Sequence, residues 1–566
     1  MKAATIRATG MIPSITVRLA GSALLLLIVA GLLTSAVFAQ QKDWQALAKN
    51  DVLLSAMRAE LDRSKTQLKM DEVAAPYYIE YRVFDLDQYA AEAAFGALRS
   101  DVRAHIRFLR VVVRIGDYKQ DSYFGQGEGV VDFMPLDNDV AAIRHALWLS
   151  TDRAYKTAAE SLTAKQAQLK QLTVDQPVDD FAHAEPVQSI SPLVTLDFDP
   201  QLWKKMLQDA SDLYKSDPAI ESFEANLNFR AVNRYFVNSE GTVVRSGDTL
   251  YEMNVGGTTQ AADAMSLARN NGFAVANMKE LPSSAEFVGR ATKMAASLKE
   301  LRDAPVADEE YRGPVLFSAD ASTSVFADFI GENILGRKPE LGKNARTTGA
   351  FAASYNSRVL PDFLAVVADP TINSYHGQSL LGHYDIDDEG VPAQRVSLVE
   401  KGTLVNYLTS RAPIRDFPTS NGHGRAQVPT GIPGPHNSNL IVSSLQPTPK
   451  EELKKKLLDL CRQRDLPYCY YVETFGPKLT PRLLYRVWTK DGHEELVRGG
   501  AFGDLDTRSL RSNLIAAGDD VYVENRSQNI PHSILAPSIL FDELEVKRAN
   551  VNKDKLPEYP PPAIGK

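Results

Sequence analysis

The chain has 566 residues, of which 44% are hydrophobic and 24% charged, and a formal net charge of −8. That length exceeds one ordinary domain and predicts two or three, with a composition typical of globular proteins. The acidic balance excludes an electrostatic nucleic-acid binder, which needs a basic face. The nine histidines are scattered, with no Cys-x-x-Cys or His-Glu-x-x-His string among them.

Lys2, Arg7 and Arg18 flank the start of "LAGSALLLLIVAGLLTSAVFA", an apolar run ending with Val37 and Ala39 placed for signal-peptidase cleavage before Gln40. The pattern predicts an exported chain, periplasmic or extracellular, with residues 1–39 a signal peptide cleaved after Ala39. An uncleaved anchor is the alternative, and the only membrane association expected. Helical apolar rhythm follows over 45–70, then strands at 76–85 and 107–118, rich in aromatic and β-branched residues. A long helix is expected over 138–172, a Pro- and Asp-containing connector over 173–192, and a helix over 200–217. Residues 225–259 read as a strand, an Asn238-Ser239-Glu240-Gly241 turn, a strand and a further strand. Ser283 and Glu286 form a capping box. It opens a helix whose Phe287, Ala291, Met294, Leu298 and Leu301 recur at spacings of four and three. Pro305 ends it, near an expected domain boundary.

The second half is richer in strands, among them "RGPVLFSAD", "LAVVADP", "AQRVSLVEKGTLVNYLTS", "SNLIVSS", "YCYYVETFG", "RLLYRVWTKDGHEELVRG" and "SILFDELEVKR". A helix opens at Thr448-Pro449 with Glu451 at the box position. The tail "LPEYPPPAIGK" reads as extended. Only Cys461 and Cys469 occur. A disulfide across their short loop and two free thiols are both compatible with an oxidising compartment.

Three stretches bear on chemistry. "SVFADFIGENILG" (324–336) predicts a helix with Asp328 and Glu332 one turn apart on a shared face. On a helical wheel, Phe326, Phe329, Ile330 and Ile334 form the apolar side, with Asp328 and Glu332 opposite. Residues 382–408 set five acidic side chains around Gly390. They read either as a divalent-cation loop, although "DIDDEG" lacks the EF-hand spacing, or as an acidic hairpin. The long Gly/Pro/Asn-rich loop 417–442 reads either as solvated irregular chain or as a cleft lining. In the second case Asn421, His423, Arg425, His436 and Asn439 are the candidates to hold a peptide backbone.

Several segments stand in a recognisable order: "YFVNSEGTVV", "YRGPVLFSADAS", "DDEGVPAQRVSLVEKGTLVNYLTSR", "PTSNGHGRA" with "SNLIV", "DGHEELVRGG" and "APSILFDELEV". Together they resemble the TldD/PmbA family, also called peptidase U62 or modulator of DNA gyrase, over roughly residues 190–549. The resemblance implies an α+β protein, with a mixed α/β N-terminal domain followed by a β-rich, barrel-like C-terminal domain. Its divisions are expected at 40–305, with helical elaboration around 138–172, at 306–549, and at 550–566 for the tail. In the family, the TldD-type subunit is a zinc metallopeptidase with His-Glu-x-x-x-His on the helix after the Gly-Pro-Val strand and a later cysteine ligand. Its PmbA-type partner lacks these ligands. Here "ADFIGE" falls on that motif, so Ala327, Asp328 and Glu332 replace its first ligand, its glutamate and its second ligand. A methyl group offers no donor, and aspartate withdraws its oxygens by about 1.5 Å relative to glutamate. "VENRSQNIPHS" lies where the cysteine is expected, and contains none.

The resulting expectation is a metal-free partner subunit of a TldD/PmbA-type peptidase of the cell envelope. It has no catalytic residue and no cofactor of its own, zinc being in the partner. The partner is a zinc-bearing TldD-like paralogue, the alternative being a homodimer, and the substrate is a peptide or unfolded protein, with no nucleic acid. Two alternatives stand beside it. One is a self-sufficient metallopeptidase with substituted ligands, using Glu332, with or without Asp328, and a histidine such as His423 or His532. The other is a non-enzymatic peptide-binding or scaffolding homodimer.

Overall fold

The protein is described here by a computed structural model covering residues 48–172, 177–428, 431–550 and 555. The expected signal segment and nearly all of the Pro-rich tail lie outside these residues.

Two sheets organise the chain. The first has seven strands and is built on the hairpin Tyr78–Ala94 and Ala97–Arg114 and the long pair Ile220–Asn238 and Val243–Gln260. Val130–Phe133 forms one edge, Ser266–Val275 pairs with Val243–Gln260, and Gln188–Ile190 joins that strand in parallel. Side chains alternate across a strand, and here the two faces have different fates. Ile79, Tyr81 and Val83 pack under the helices Val52–Gln67 and Val140–Leu169. Further along the same face, Tyr89, Ala91 and Ala93 pack under Pro200–Ser211 and Ser284–Asp303. The opposite face carries Glu80, Arg82, Arg110 and Arg114 and is also buried, Arg82 against the second half of the chain and Arg110 and Arg114 against Glu128 and Asp121 of the first. Alternation alone reads such a face as solvent-exposed.

Most elements follow the local pattern. The Ser283/Glu286 capping box is formed, and Phe287, Ala291, Met294, Leu298 and Leu301 are all buried. Asp51 and Asp139 cap the two helices of the first layer. Other expectations need correcting. Residues 243–260 are one strand rather than two, because Gly247 does not break it. A Cβ there would lie 2.9 Å from Val194, so the glycine makes room for a neighbour while the ladder continues on both sides. Helix Lys450–Gln463 begins without a side-chain cap from Thr448 or Pro449. Instead Asp519 accepts the Lys450 N–H at 3.1 Å. The strands Ser266–Val275 and Leu514–Arg526 escaped the sequence reading, since their Asn, Gly and Asp residues mimic loop composition.

The second sheet has eleven strands centred on His532–Arg548, which pairs with Glu310–Phe317, Asn439–Ser444, Gly500–Phe502 and Leu514–Arg526. Its strand order runs from one edge to another without closing, so barrel-like describes the curvature loosely. The helix Ala319–Phe326 packs within the main core. Helix Lys450–Gln463 packs within a smaller cluster with Leu316, Val487 and Leu540. Cys461 and Cys469 are joined as a disulfide with Cα atoms 6.2 Å apart, tying that helix to the strand Tyr468–Phe475.

Candidate functional site

Strand Glu310–Phe317 delivers the chain to Ser318, whose Oγ accepts the Ala321 N–H at 2.9 Å and donates to the Glu473 carbonyl at 2.6 Å. This fixes the start of the helix that carries the motif position. The α-helix stops at Phe326, sooner than the sequence suggests, and Ala327–Gly331 forms a π-turn in which the Glu332 N–H bonds the Ala327 carbonyl at 3.2 Å. Residues five apart on an α-helix point about 140° away from each other. A bond spanning five residues brings 332 back over 327, and π-turns of this kind concentrate at functional sites. The backbone device suited to a ligand pair at these two positions is therefore present.

The side chains on it do not fit zinc. Ala327 is 5% exposed and belongs to the apolar core with Phe326, Ile330 and Ile334. Glu332 is exposed and ion-paired with Arg337 at 3.0 Å. Asp328, also exposed, lies 3.9 Å from Arg526. Burial pushes its carboxyl up from the ordinary value, and Glu524 and Glu332 add to this against the pull of Arg526. The two cysteines are consumed by their disulfide, and no three His, Cys, Asp or Glu side chains converge on a metal position among the described residues. Ala327→His is expected to lower stability by about 1–3 kcal/mol, the usual cost of overpacking a filled core. Restoring that single ligand should confer no zinc retention; denaturant melting and metal analysis of the dialysed variant check both.

The loop candidates separate. His423 is fully buried: its Nδ1 donates to the Asn421 carbonyl at 3.0 Å and its Nε2 meets Ser438 Oγ at 3.2 Å. Burial lowers its pKa to about 4. Asn439, also fully buried, donates to the Asp369 and Ile372 carbonyls at 2.9 and 2.8 Å. Asn421 accepts from the Thr409 N–H and donates to the Tyr407 carbonyl. Arg425 pairs with Asp388 at 3.1 Å and lies over the Tyr384 ring. These four residues hold the loop in place rather than line a cleft. His436 alone of the five stands beside the π-turn, in ring contact with His532 at 5.3 Å between centroids. Asn437, 3% exposed, donates to the Gly331 carbonyl at 3.2 Å, an approach that a Cβ at Gly331 would crowd. Arg526, Glu524 and Asn437 were not legible as site residues, since they lie about 100 to 200 positions from the motif and only sheet pairing unites them.

The acidic stretch around Gly390 is neither a cation loop nor a surface hairpin. Asp387 accepts the N–H groups of Glu389, Val391 and Gly424, and Glu389 accepts that of Arg411 at 2.6 Å. Asp388 binds Arg425 and the Ala426 N–H, while its carbonyl accepts from Arg82 of the first sheet. Burial, reinforced by Glu389, pushes Asp387 up to about 8. The hairpin is thus a polar plug between the two halves.

Comparison with known proteins agrees with this architecture. Residues 310–476 match the family described as PmbA/TldA metallopeptidase C-terminal domain. The chain is 23% identical over 459 residues to a metalloprotease TldD homolog of Buchnera aphidicola subsp. Schizaphis graminum, covering 77% of this chain and 88% of the relative. It is 24% identical over 222 residues to the homolog from the Acyrthosiphon pisum subspecies, covering 36% and 42%. Among solved structures, a protein described as a modulator of a DNA gyrase from Thermotoga maritima superposes with a TM-score of 0.58 at 15% identity, over 86% of this chain and 99% of that one. TldE from Thermococcus kodakarensis gives 0.57 at 13% identity, over 87% and 99%. These likenesses show the two-domain fold, and the matched C-terminal domain bears out the resemblance to the metallopeptidase-related TldD/PmbA family.

Proposed function

We propose that this chain is the metal-free partner subunit of a TldD-like zinc peptidase of the cell envelope, and that it holds peptide for a zinc-bearing paralogue. The observation that carries the reading is the motif position itself. The position folds as a π-turn, but its first ligand position holds a core alanine and its two carboxylates are engaged by Arg526 and Arg337. The apolar leader, with its cleavage residues before Gln40, supports export. A chain that keeps the family's scaffold without the donors for the chemistry is suited to binding and positioning, not to hydrolysis. Peptide contact then falls to the side chains beside the π-turn, because most of the 417–442 loop candidates are spent on internal hydrogen bonds.

The test is metal analysis of the purified protein together with peptide cleavage, assayed alone and with a family member carrying His-Glu-x-x-x-His. The expected result is no stoichiometric zinc, no cleavage alone, and cleavage by the pair that exceeds that of the paralogue by itself. Chelator-sensitive cleavage by this chain alone would reject the proposal. A second reading, a self-sufficient peptidase with substituted ligands, draws on the ring contact of His436 and His532 near Glu332. The same assay separates the two.

A further inference from the structure

Several hydrogen-bond acceptors stand around the π-turn. His436 Nδ1 meets the Asn437 carbonyl at 3.3 Å and His532 Nδ1 meets the Ile530 carbonyl at 2.9 Å. A carbonyl only accepts, so each ring carries its proton on Nδ1. Burial holds both rings neutral, at about 4, so each Nε2 presents a lone pair. Asn437 is oriented the same way: its Nδ2 is spent on the Gly331 carbonyl, leaving Oδ1 buried and without a hydrogen-bond partner. Three carboxylates, Asp328, Glu332 and Glu524, stand against the guanidiniums of Arg526 and Arg337, which leaves one negative charge in excess.

We propose that these groups form a primary-ammonium site, in which acceptors drawn from Asp328, Glu332, Asn437 Oδ1 and the Nε2 atoms of His436 and His532 receive the three N–H donors of a peptide amine. The inference rests on the peptide-holding reading above and names the end of the peptide that is held. A primary ammonium has three N–H donors and no acceptor, and its bonds of about 2.7–3.2 Å are longer than metal–ligand bonds. A divalent metal would require three close ligands to converge, which the described residues do not provide. The amine has two sources, the α-amino end and a lysine side chain.

Titration of the purified protein, labelled with nitrogen-15 in histidine, tests the site directly. With n-butylammonium, the signals of two histidines are expected to move together and saturate. Tetramethylammonium, which has the charge but no N–H, should leave them unmoved. Glu332→Gln, at an exposed position, should weaken the response about tenfold, the factor for one charge-assisted hydrogen bond. An alanine peptide that binds with a free amino end but not when acetylated identifies the α-amine. An acetylated peptide that binds only with a lysine identifies the side chain. Unmoved histidine signals, an equal response to tetramethylammonium, or stoichiometric zinc on the two histidines would overturn the site. Peptide binding indifferent to both acetylation and lysine would overturn it too, while leaving the peptide-holding function intact.

Discussion

Replacing Arg411 with methionine is expected to destabilise the protein by about 3–5 kcal/mol, the cost of breaking a buried ion pair by removing one partner. Arg411 is fully buried and meets Glu240 at 2.7 Å, with Nε donating to the Ala182 carbonyl at 2.9 Å. Its guanidinium lies 4.0 Å from the centre of the Phe181 ring. Its backbone N–H goes to Glu389 of the acidic hairpin. One side chain thus joins the turn after strand Ile220–Asn238, the connector at 180–182 and the second half of the chain. Methionine fills much of the volume but leaves the Glu240 carboxylate, 8% exposed, without its cation. Urea denaturation measures the loss. In a double-mutant cycle, Glu240→Gln combined with Arg411→Met should cost less than the sum of the two single changes, because they share one interaction. A loss below about 1 kcal/mol would mean that water solvates the vacated carboxylate and that the plug does not seal the interface.

Acid should destabilise the protein through its buried histidines, and His423→Gln should remove a large part of the effect. His423 falls from its ordinary 6.5 to about 4 in the folded chain because burial disfavours the charged ring. The unfolded chain therefore binds the proton first as pH falls, and stability is lost progressively from about pH 6.5 down to about pH 4. The size is roughly 2–4 kcal/mol for this one residue. His436 and His532 act with the same sign. Asp320 acts with the opposite sign: burial, with Glu524 and Glu473, raises it to about 6, so the fold gains from its protonation on acidification. Asp387, raised to about 8, does likewise. The difference between parent and His423→Gln cancels these opposing groups. That difference in denaturation midpoint should move in favour of the variant between pH 7.5 and pH 4.5. A constant difference across this range would mean that the ring is already charged, or solvated, in the native state.

Local chemistry determined much of what was readable without coordinates. The capping box at Ser283, the 4-3 apolar spacing of its helix and the strands around "GPVLF" and "SILFDELEV" depend on neighbours a few residues apart. The loss of donors at 327, 328 and 332 was equally readable, since side-chain identity alone decides whether a donor atom exists. Tertiary structure decided the rest, wherever a residue's role depends on a distant partner. Alternation in Tyr78–Ala94 places Glu80 and Arg82 on the polar face, but that face is buried by partners distant in sequence, among them the 387–389 hairpin, whose Asp388 carbonyl accepts from Arg82. The loop 417–442 has a functional composition, yet its Asn421, His423 and Asn439 satisfy backbone groups that a buried irregular segment would otherwise leave unpaired. Periodicity read 324–336 as a single α-helix, and packing turned its middle into a π-turn facing His436 and His532, two residues with no sequence relation to it. Sequence carries propensity and chemical identity, while burial and convergence are properties of the folded chain as a whole.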